Sequence, residues 1–405
     1  MQSELQSKEK MPSTPKTAVR EEIIKRSRRI VIKLGTAVLM NDQGGIALSR
    51  FYSFVEGIAE LIKSGKEVLL VTSGAVGLGA RALGFTSKPK LLPLKQACAA
   101  VGQGRLMALY SDAFEKMDVV AAQILLTEED FSNRQRYLNL RSTISQLLEH
   151  KVLPIFNEND TVSTAEIEML KDGSEIKINF GDNDKLSSLV ASKIEADLLL
   201  ILTDVDGLYT ADPRSGPDAK LISVVEQFTA DIEHLGESKA ASDKPGRGGI
   251  KTKLAAARVA TQSGCAAIIA SGKTNNAIHR IFAGEDMGTL FLPHMGLSGK
   301  QRWIAFATTI KASVVVNDGA KIALQERKAS LLPAGVVAVK GHFERGDVVS
   351  VVSEDGKDFA RGIVNYSSDE TKKVSGLHSG AIDELIVSRN YDALITRDNI
   401  VFVEG

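Results

Sequence analysis

Cysteine is scarce in this 405-residue chain. Cys98 and Cys265 stand far apart and in no CxxC or Cys/His grouping, which excludes a disulfide framework and a structural zinc site; both read as buried small hydrophobes. Net charge is absent as well. Fifty Lys and Arg cancel fifty Asp and Glu, so no global field draws the chain onto nucleic acid or anionic lipid, and any anion site must be local. No apolar run reaches the about 18 residues that span a bilayer, and the N-terminus lacks the apolar core of a secretory signal, so we expect a cytoplasmic protein with no membrane partner. The histidines His150, His234, His279, His294, His342 and His378 show no metal-ligand spacing. The GxxxxGK[ST] phosphate loop and the GxSxG elbow are both missing, which argues against a P-loop enzyme and a nucleophilic hydrolase.

What is present is the ordinary balance of a globular protein, 43% apolar and 25% charged, in a length suited to two or three domains. Residues 1–28 are polar and mixed in charge, and we expect a flexible extension; Glu4, Glu9, Glu21 and Glu22 do not suit an organellar transit peptide. From Arg29 onward, β-branched apolar runs at 29–36, 67–74, 119–126, 152–157, 198–204 and 266–272 alternate with helical spacing at 49–64, 93–116, 133–150, 184–195 and 249–263. Strand then helix, repeated, predicts an α/β fold: a three-layer αβα sandwich with a mostly parallel central sheet, over 29–300. Ligands in such folds sit at the carboxyl ends of the strands. Beyond about residue 311 the texture changes to short runs such as 314–316, 336–339, 348–352 and 400–403, which predicts a small β-rich domain over 311–390 and a strand segment over 391–405.

Polar residues gather where the predicted strands end. Lys33 precedes Gly35, whose amide can face an anion. Ser73 opens a Gly-rich turn, Val71 to Gly79, that reads either as an oxyanion cradle or as close helix packing. Asn157, Glu158, Asn159 and Asp160 follow one strand; Asp182, Asn183 and Asp184 open a helix a short way on. A single Asp there reads as a helix cap, but the two clusters together are costly unless they bind something. Thr203 and Asp204 close another strand, as a nucleotide contact or as turn formers. Last, Gly246 to Lys253 is a glycine-rich loop entering a helix, with Lys251 and Lys253 in its first turn. Its composition suits a phosphate cradle, the bland reading being a surface loop.

Taken in order, KLGT, VTSGAVGLGA, QACAAVGQGRLM (Gln96 to Met107), NENDTV, GDNDKLS, LTDVDGLYTADPR and GRGGIKTK resemble the glutamate 5-kinases of the amino acid kinase family, from about residue 29 onward. The tail, with Ser330 to Gly335 and Phe343 to Val349, resembles the β-barrel-like PUA domain. The resemblance implies phosphorylation of the γ-carboxylate of L-glutamate by ATP with Mg²⁺, the first step of proline synthesis, with L-proline as feedback inhibitor. It further implies a homo-oligomer, and a γ-glutamyl phosphate reductase as partner. It assigns Lys33 and Lys253 to the transferring phosphoryl group and Asp184 to orienting both lysines. Ser73, Asn157, Asp160 and Asn183 are implied to bind glutamate. Lys33, Gly35, Thr203, Asp204 and the run Arg247, Gly248, Gly249, Ile250, Lys251, Thr252 and Lys253 are implied to bind ATP, with Asp182 near Mg²⁺. Two features depart from the family pattern: Arg247 stands where Thr is usual, and the segment Glu168 to Phe180 is longer than in many relatives, as a lid over the glutamate pocket would be. Two alternatives stay open: a kinase of another small acid, or an RNA-binding PUA protein. Residues 311–405 hold 12 Lys and Arg against 14 Asp and Glu, which argues against RNA.

Overall fold

The computed structural model describes residues 16–41, 43–87, 89, 91–162, 183–211, 218–237, 249–294, 304, 310, 312–327, 329–377 and 393–403. Strand β1 (Arg29–Leu34) shows how the main sheet is built. Period-two alternation sends Ile30, Ile32 and Leu34 to one face and Val31 and Lys33 to the other. All five are buried, as a parallel strand covered on both sides requires. With β2 (Glu67–Val71), β3 (Ala121–Leu126), β4 (Leu153–Glu158), β5 (Leu198–Thr203), β6 (Val224–Val225), β7 (Ala266–Ser271) and β8 (Thr289–Phe291) it forms an eight-stranded sheet in the order β3-β4-β2-β1-β5-β7-β8-β6. Every pairing is parallel except β7 with β8.

The helices of this part are α1 (Lys16–Arg26), α2 (Thr36–Leu39), α3 (Leu48–Lys63), α4 (Ala75–Ala82), α5 (Leu92–Glu115), α6 (Glu128–Ser132), α7 (Arg134–Glu149), α8 (Asn183–Lys193), α9 (Ala230–Glu237), α10 (Ile250–Gln262) and α11 (Ala277–Phe282). Two cores separate them. Apolar side chains of α1, α3, α5 and α11 pack on the Ile30 face, and those of α7, α8 and α10 on the Val31 face. In α3, Phe51, Phe54, Val55 and Ile58 recur at helical spacing and are all buried, so one stripe of the helix faces the sheet. The expected three-layer αβα sandwich is therefore present. The helix α4 crosses α5 through glycines: a Cβ on Gly79 would fall onto the Cys98 carbonyl, and one on Gly102 onto that of Ala75. None of the helices is long and apolar enough to cross a membrane.

A second sheet holds β9 (Ser313–Val316), β10 (Val336–Lys340), β11 (Val348–Ser353), β12 (Asp358–Ile363) and β13 (Ile400–Phe402), in the order β10-β9-β11-β12-β13. It has its own core, built on Val314, Val316, Val349, Val351, Phe359 and Leu394. β13 belongs to this sheet through its pairing with β12. Trp303, the sole tryptophan, lies outside the described residues.

The reading of 1–28 as a flexible extension is corrected over α1. Ile23 and Ile24 are buried, and the guanidinium of Arg20, with no exposed side-chain surface, donates to the carbonyls of Met287, Ser223 and Gly288 at 2.8, 3.0 and 3.1 Å. It also pairs with Asp286 at 3.1 Å. One arginine thus satisfies the backbone next to β6 and β8 and ties the N-terminal helix to the sheet edge. Arg20→Ala removes this donor from the Met287 and Gly288 carbonyls, while that of Ser223 keeps the Leu290 amide, and is expected to cost about 2–4 kcal/mol. A lowered urea midpoint at unchanged slope is the measurement that checks it.

Candidate active site

Lys33 lies at the carboxyl end of β1 on the face that α8 and α10 cover. Those two helices pack on each other, and both begin beside it. The first turn of α8 carries Asp184 and that of α10 carries Lys253, so three charged side chains from three elements meet. Asp184 has no exposed side-chain surface. Its Oδ1 lies 2.5 Å from Lys33 Nζ and its Oδ2 lies 3.2 Å from Lys253 Nζ. Thr252 Oγ1 also donates to Oδ2, at 2.9 Å. Burial alone would raise the pKa of Asp184; the two ammonium groups reverse this and hold it at about 2, so the carboxylate is ionised whenever the protein is folded near neutrality. Among the described residues, no group of three His, Cys, Asp or Glu is arranged to hold a metal ion.

A second cluster adjoins the first. After β2 the chain turns through Thr72, Ser73 and Gly74, and Gly74, at φ +109°, takes a left-handed conformation that opens α4. Asn183, next to Asp184, reaches into this turn. Its Nδ2 donates to the Thr72 carbonyl at 2.8 Å, to Ser73 Oγ at 2.9 Å and to Asn157 Oδ1 at 3.0 Å. Asn157, buried near the end of β4, donates in turn to Gln103 Oε1 at 2.9 Å. Asp160 is half-buried just beyond that strand.

The residues expected to bind the nucleotide line the neighbouring strand ends. Thr203 is buried, its hydroxyl donates to the exposed Asp204 at 3.2 Å, and its carbonyl accepts from Gly272 N at 2.8 Å. Gly35 N donates to the Leu202 carbonyl at 3.1 Å, seating the Lys33 turn against β5. Gly249 caps α10 in extended conformation; Ile250 packs on the core below, and Lys251 is exposed. Asp182, Arg247, Gly248 and the segment Glu168 to Phe180 lie outside the described residues. Sequence reasoning missed Gln103, Tyr110 and Thr72, although the first two were findable as polar residues at helical spacing within the apolar face of α5.

The Asp184 pKa sets a stability prediction. Its folded value lies below its ordinary 3.8, so its contribution is present above that pH and is lost as pH falls towards about 2. Asp184→Asn removes that contribution and leaves two buried lysines facing each other. The variant should be less stable than the parent at pH 7, and the gap should narrow as the pH is lowered through 4 towards 2, as followed by urea denaturation at each pH.

Residues 28–271 match the amino acid kinase family and residues 312–386 the PUA domain. A glutamate 5-kinase from Caldanaerobacter subterraneus subsp. tengcongensis is 46% identical over 377 residues, covering 93% of this chain and 98% of the relative. One from Methanosarcina acetivorans is 44% identical over 394 residues, covering 95% and 99%. A solved carbamate kinase from Giardia lamblia aligns with a TM-score of 0.46 at 20% identity, over 66% of this chain and 99% of that one. The convergence of Lys33, Asp184 and Lys253 at the strand ends and the near full-length identity agree: the chain belongs to the amino acid kinase family, and within it to the glutamate 5-kinases.

Proposed function

We propose that this protein transfers the γ-phosphoryl group of ATP to the γ-carboxylate of L-glutamate, giving γ-glutamyl 5-phosphate and ADP at the entry to proline synthesis. The observation that carries the reading is the pair of buried lysines held by one carboxylate beside an amide-lined pocket, with no histidine among the residues of either cluster. A γ-carboxylate has a reference pKa of about 4.3 and is already a nucleophile at pH 7, so no general base is needed. Its oxygen attacks the γ-phosphorus, and the bond to the β,γ-bridging oxygen breaks to leave ADP. What the site must supply is relief of repulsion between two anions and stabilisation of charge on the transferred group. Lys33 and Lys253 act there, each placed by Asp184. The amides at the start of α10, with the Arg247 to Lys253 run, face the phosphates. Thr203 and Asp204 contact the nucleoside. On the other side, Asp160 pairs with the substrate ammonium, and the Ser73 and Gly74 amides receive the α-carboxylate, which leaves the γ-carboxylate towards ATP.

When bound with ATP, Mg²⁺ would neutralise part of the phosphate charge. Asp184 is committed to two lysines and Thr252, which suits an ion carried mainly by phosphates and water, with Asp182 as the proposed protein contact. We further read the protein as a cytoplasmic homo-oligomer whose labile acyl phosphate passes to a γ-glutamyl phosphate reductase.

ATP-dependent hydroxamate formation tests the reading: glutamate should give product, and aspartate and N-acetylglutamate should not. In the same assay Lys253→Ala should lower kcat by about a hundredfold or more with the glutamate KM little changed, because the ammonium acts on charge that develops in the transition state. A loss confined to KM would refute that role.

L-Proline carries the same α-carboxylate and a charged nitrogen but no γ-carboxylate, so it should inhibit in competition with glutamate and leave the ATP KM unchanged. Inhibition competitive with ATP would overturn the shared pocket.

A further inference from the structure

Among the described residues the buried amide oxygen of Asn183 has no hydrogen-bond partner, whereas its nitrogen faces three acceptors. The two ends of an amide have nearly the same shape, and their partners decide which is which. A backbone carbonyl can only accept. The Thr72 carbonyl therefore fixes Nδ2 as the end of Asn183 that faces it, and Asn157 must meet that same nitrogen with Oδ1. The nitrogen of Asn157 is then turned away, onto Gln103 Oε1. The direction of every amide in the relay is set, and its free end is an acceptor.

Gln103 and Tyr110 are two turns apart on the buried face of α5. Tyr110 holds the other side of the same turn, 2.8 Å from Thr72 Oγ1, and its burial raises the phenol pKa so that it stays neutral. The helix thus braces both Thr72 and Asn157 from behind. A buried acceptor left empty is costly, and neither carboxylate of an ionised amino acid can fill it; only the ammonium brings a donor.

Building on the glutamate reading above, we propose that Gln103 is a positioning residue for substrate recognition. The Thr72 carbonyl sets which way Asn183 points, and Gln103, by keeping the Asn157 oxygen towards the Asn183 nitrogen, holds the amide in that place; its oxygen is then left to accept a hydrogen bond from the α-ammonium of glutamate. Without the Gln103 acceptor, Asn157 can present its nitrogen to Asn183, and the donor then facing a donor pushes Asn183 away against its contacts with Thr72 and Ser73.

The test compares dissociation constants of the full-length protein for L-glutamate and for glutarate, which has the same two carboxylates and no ammonium. Gln103→Leu should weaken L-glutamate by about tenfold, the worth of one hydrogen bond, and glutarate by less than about twofold. Gln103→Glu keeps an acceptor opposite Asn157 and should retain the preference for glutamate to within about threefold; it also serves if the leucine variant fails to fold. Equal weakening of both ligands, the signature of a merely structural role, overturns the proposal. So does an unchanged glutamate constant in Gln103→Leu, or loss of the preference in Gln103→Glu. A parent protein that binds neither ligand overturns the glutamate reading itself, and the relay's substrate with it.

Discussion

A carboxylate with no exposed surface, bridging two lysines, is the interaction on which the rest of the site depends. Ions taken out of water lose several kcal/mol each, and only close pairing and hydrogen bonding recover it. Asp184 recovers it from Lys33, Lys253 and Thr252, and its place in the first turn of α8 adds the favourable end of the helix dipole. That geometry demands that α8 and α10 lie close together over β1. Their sequences permit it: the buried residues include Ser187, Ser188 and Ala191 on α8 and Ala256, Ala257 and Ala260 on α10, side chains small enough for two backbones to approach.

The same helix carries the site's constraint outward. Asp184 lies in the first turn of α8 and Lys193 at its last residue, where the ammonium sits over the Tyr137 ring, 5.6 Å from its centre, and the Tyr137 hydroxyl donates to the Lys193 carbonyl at 2.9 Å. Burial, with Arg361 of β12 nearby, pushes the Lys193 pKa down to about 7. Tyr137 also joins Ile304 and Val401 in a small apolar cluster against Val348 and Ile363 of the second sheet. One helix therefore has the Asp184 carboxylate at one end and the contacts to the C-terminal sheet at the other.

The central strands and their covering helices were legible because burial on both faces forces continuous β-branched runs, and one-sided burial forces helical spacing. Helix α3 was expected at 49–64 and spans Leu48–Lys63; α10 was expected at 249–263 and spans Ile250–Gln262. The grouping of Lys33, Asp184 and Lys253 came from motif resemblance; alternation along β1 explains it, but the pairing of faces emerges only from the folded chain. The misses have physical causes. α1 docks through a buried arginine, so its anchor reads as a surface charge. β6 and β8 are too short for a periodic signal. β12 carries Asp358, Arg361 and Gly362, which break the apolar pattern used for its neighbours.

The Gly-rich turn after β2 had two readings, anion cradle or close packing, and the structure shows the close packing. Gly74, in its left-handed conformation, turns the chain from β2 into α4. Gly79 and Gly102 let α4 sit directly against α5, the helix that braces Thr72 and Asn157. The Asn157 and Asn183 cluster is thus referenced to α5, and the Lys33, Asp184 and Lys253 cluster to α8 and α10. Only α8 belongs to both. Successive residues on a helix diverge by about 100°, so Asn183 points to the β2 and β4 turns while Asp184 points to β1 and α10. Two adjacent positions on one helix thus fix the Asn183 cluster relative to the Lys33, Asp184 and Lys253 cluster. A shift of α8 would disturb both sets of contacts together, which explains why so much small-residue packing is committed to fixing it.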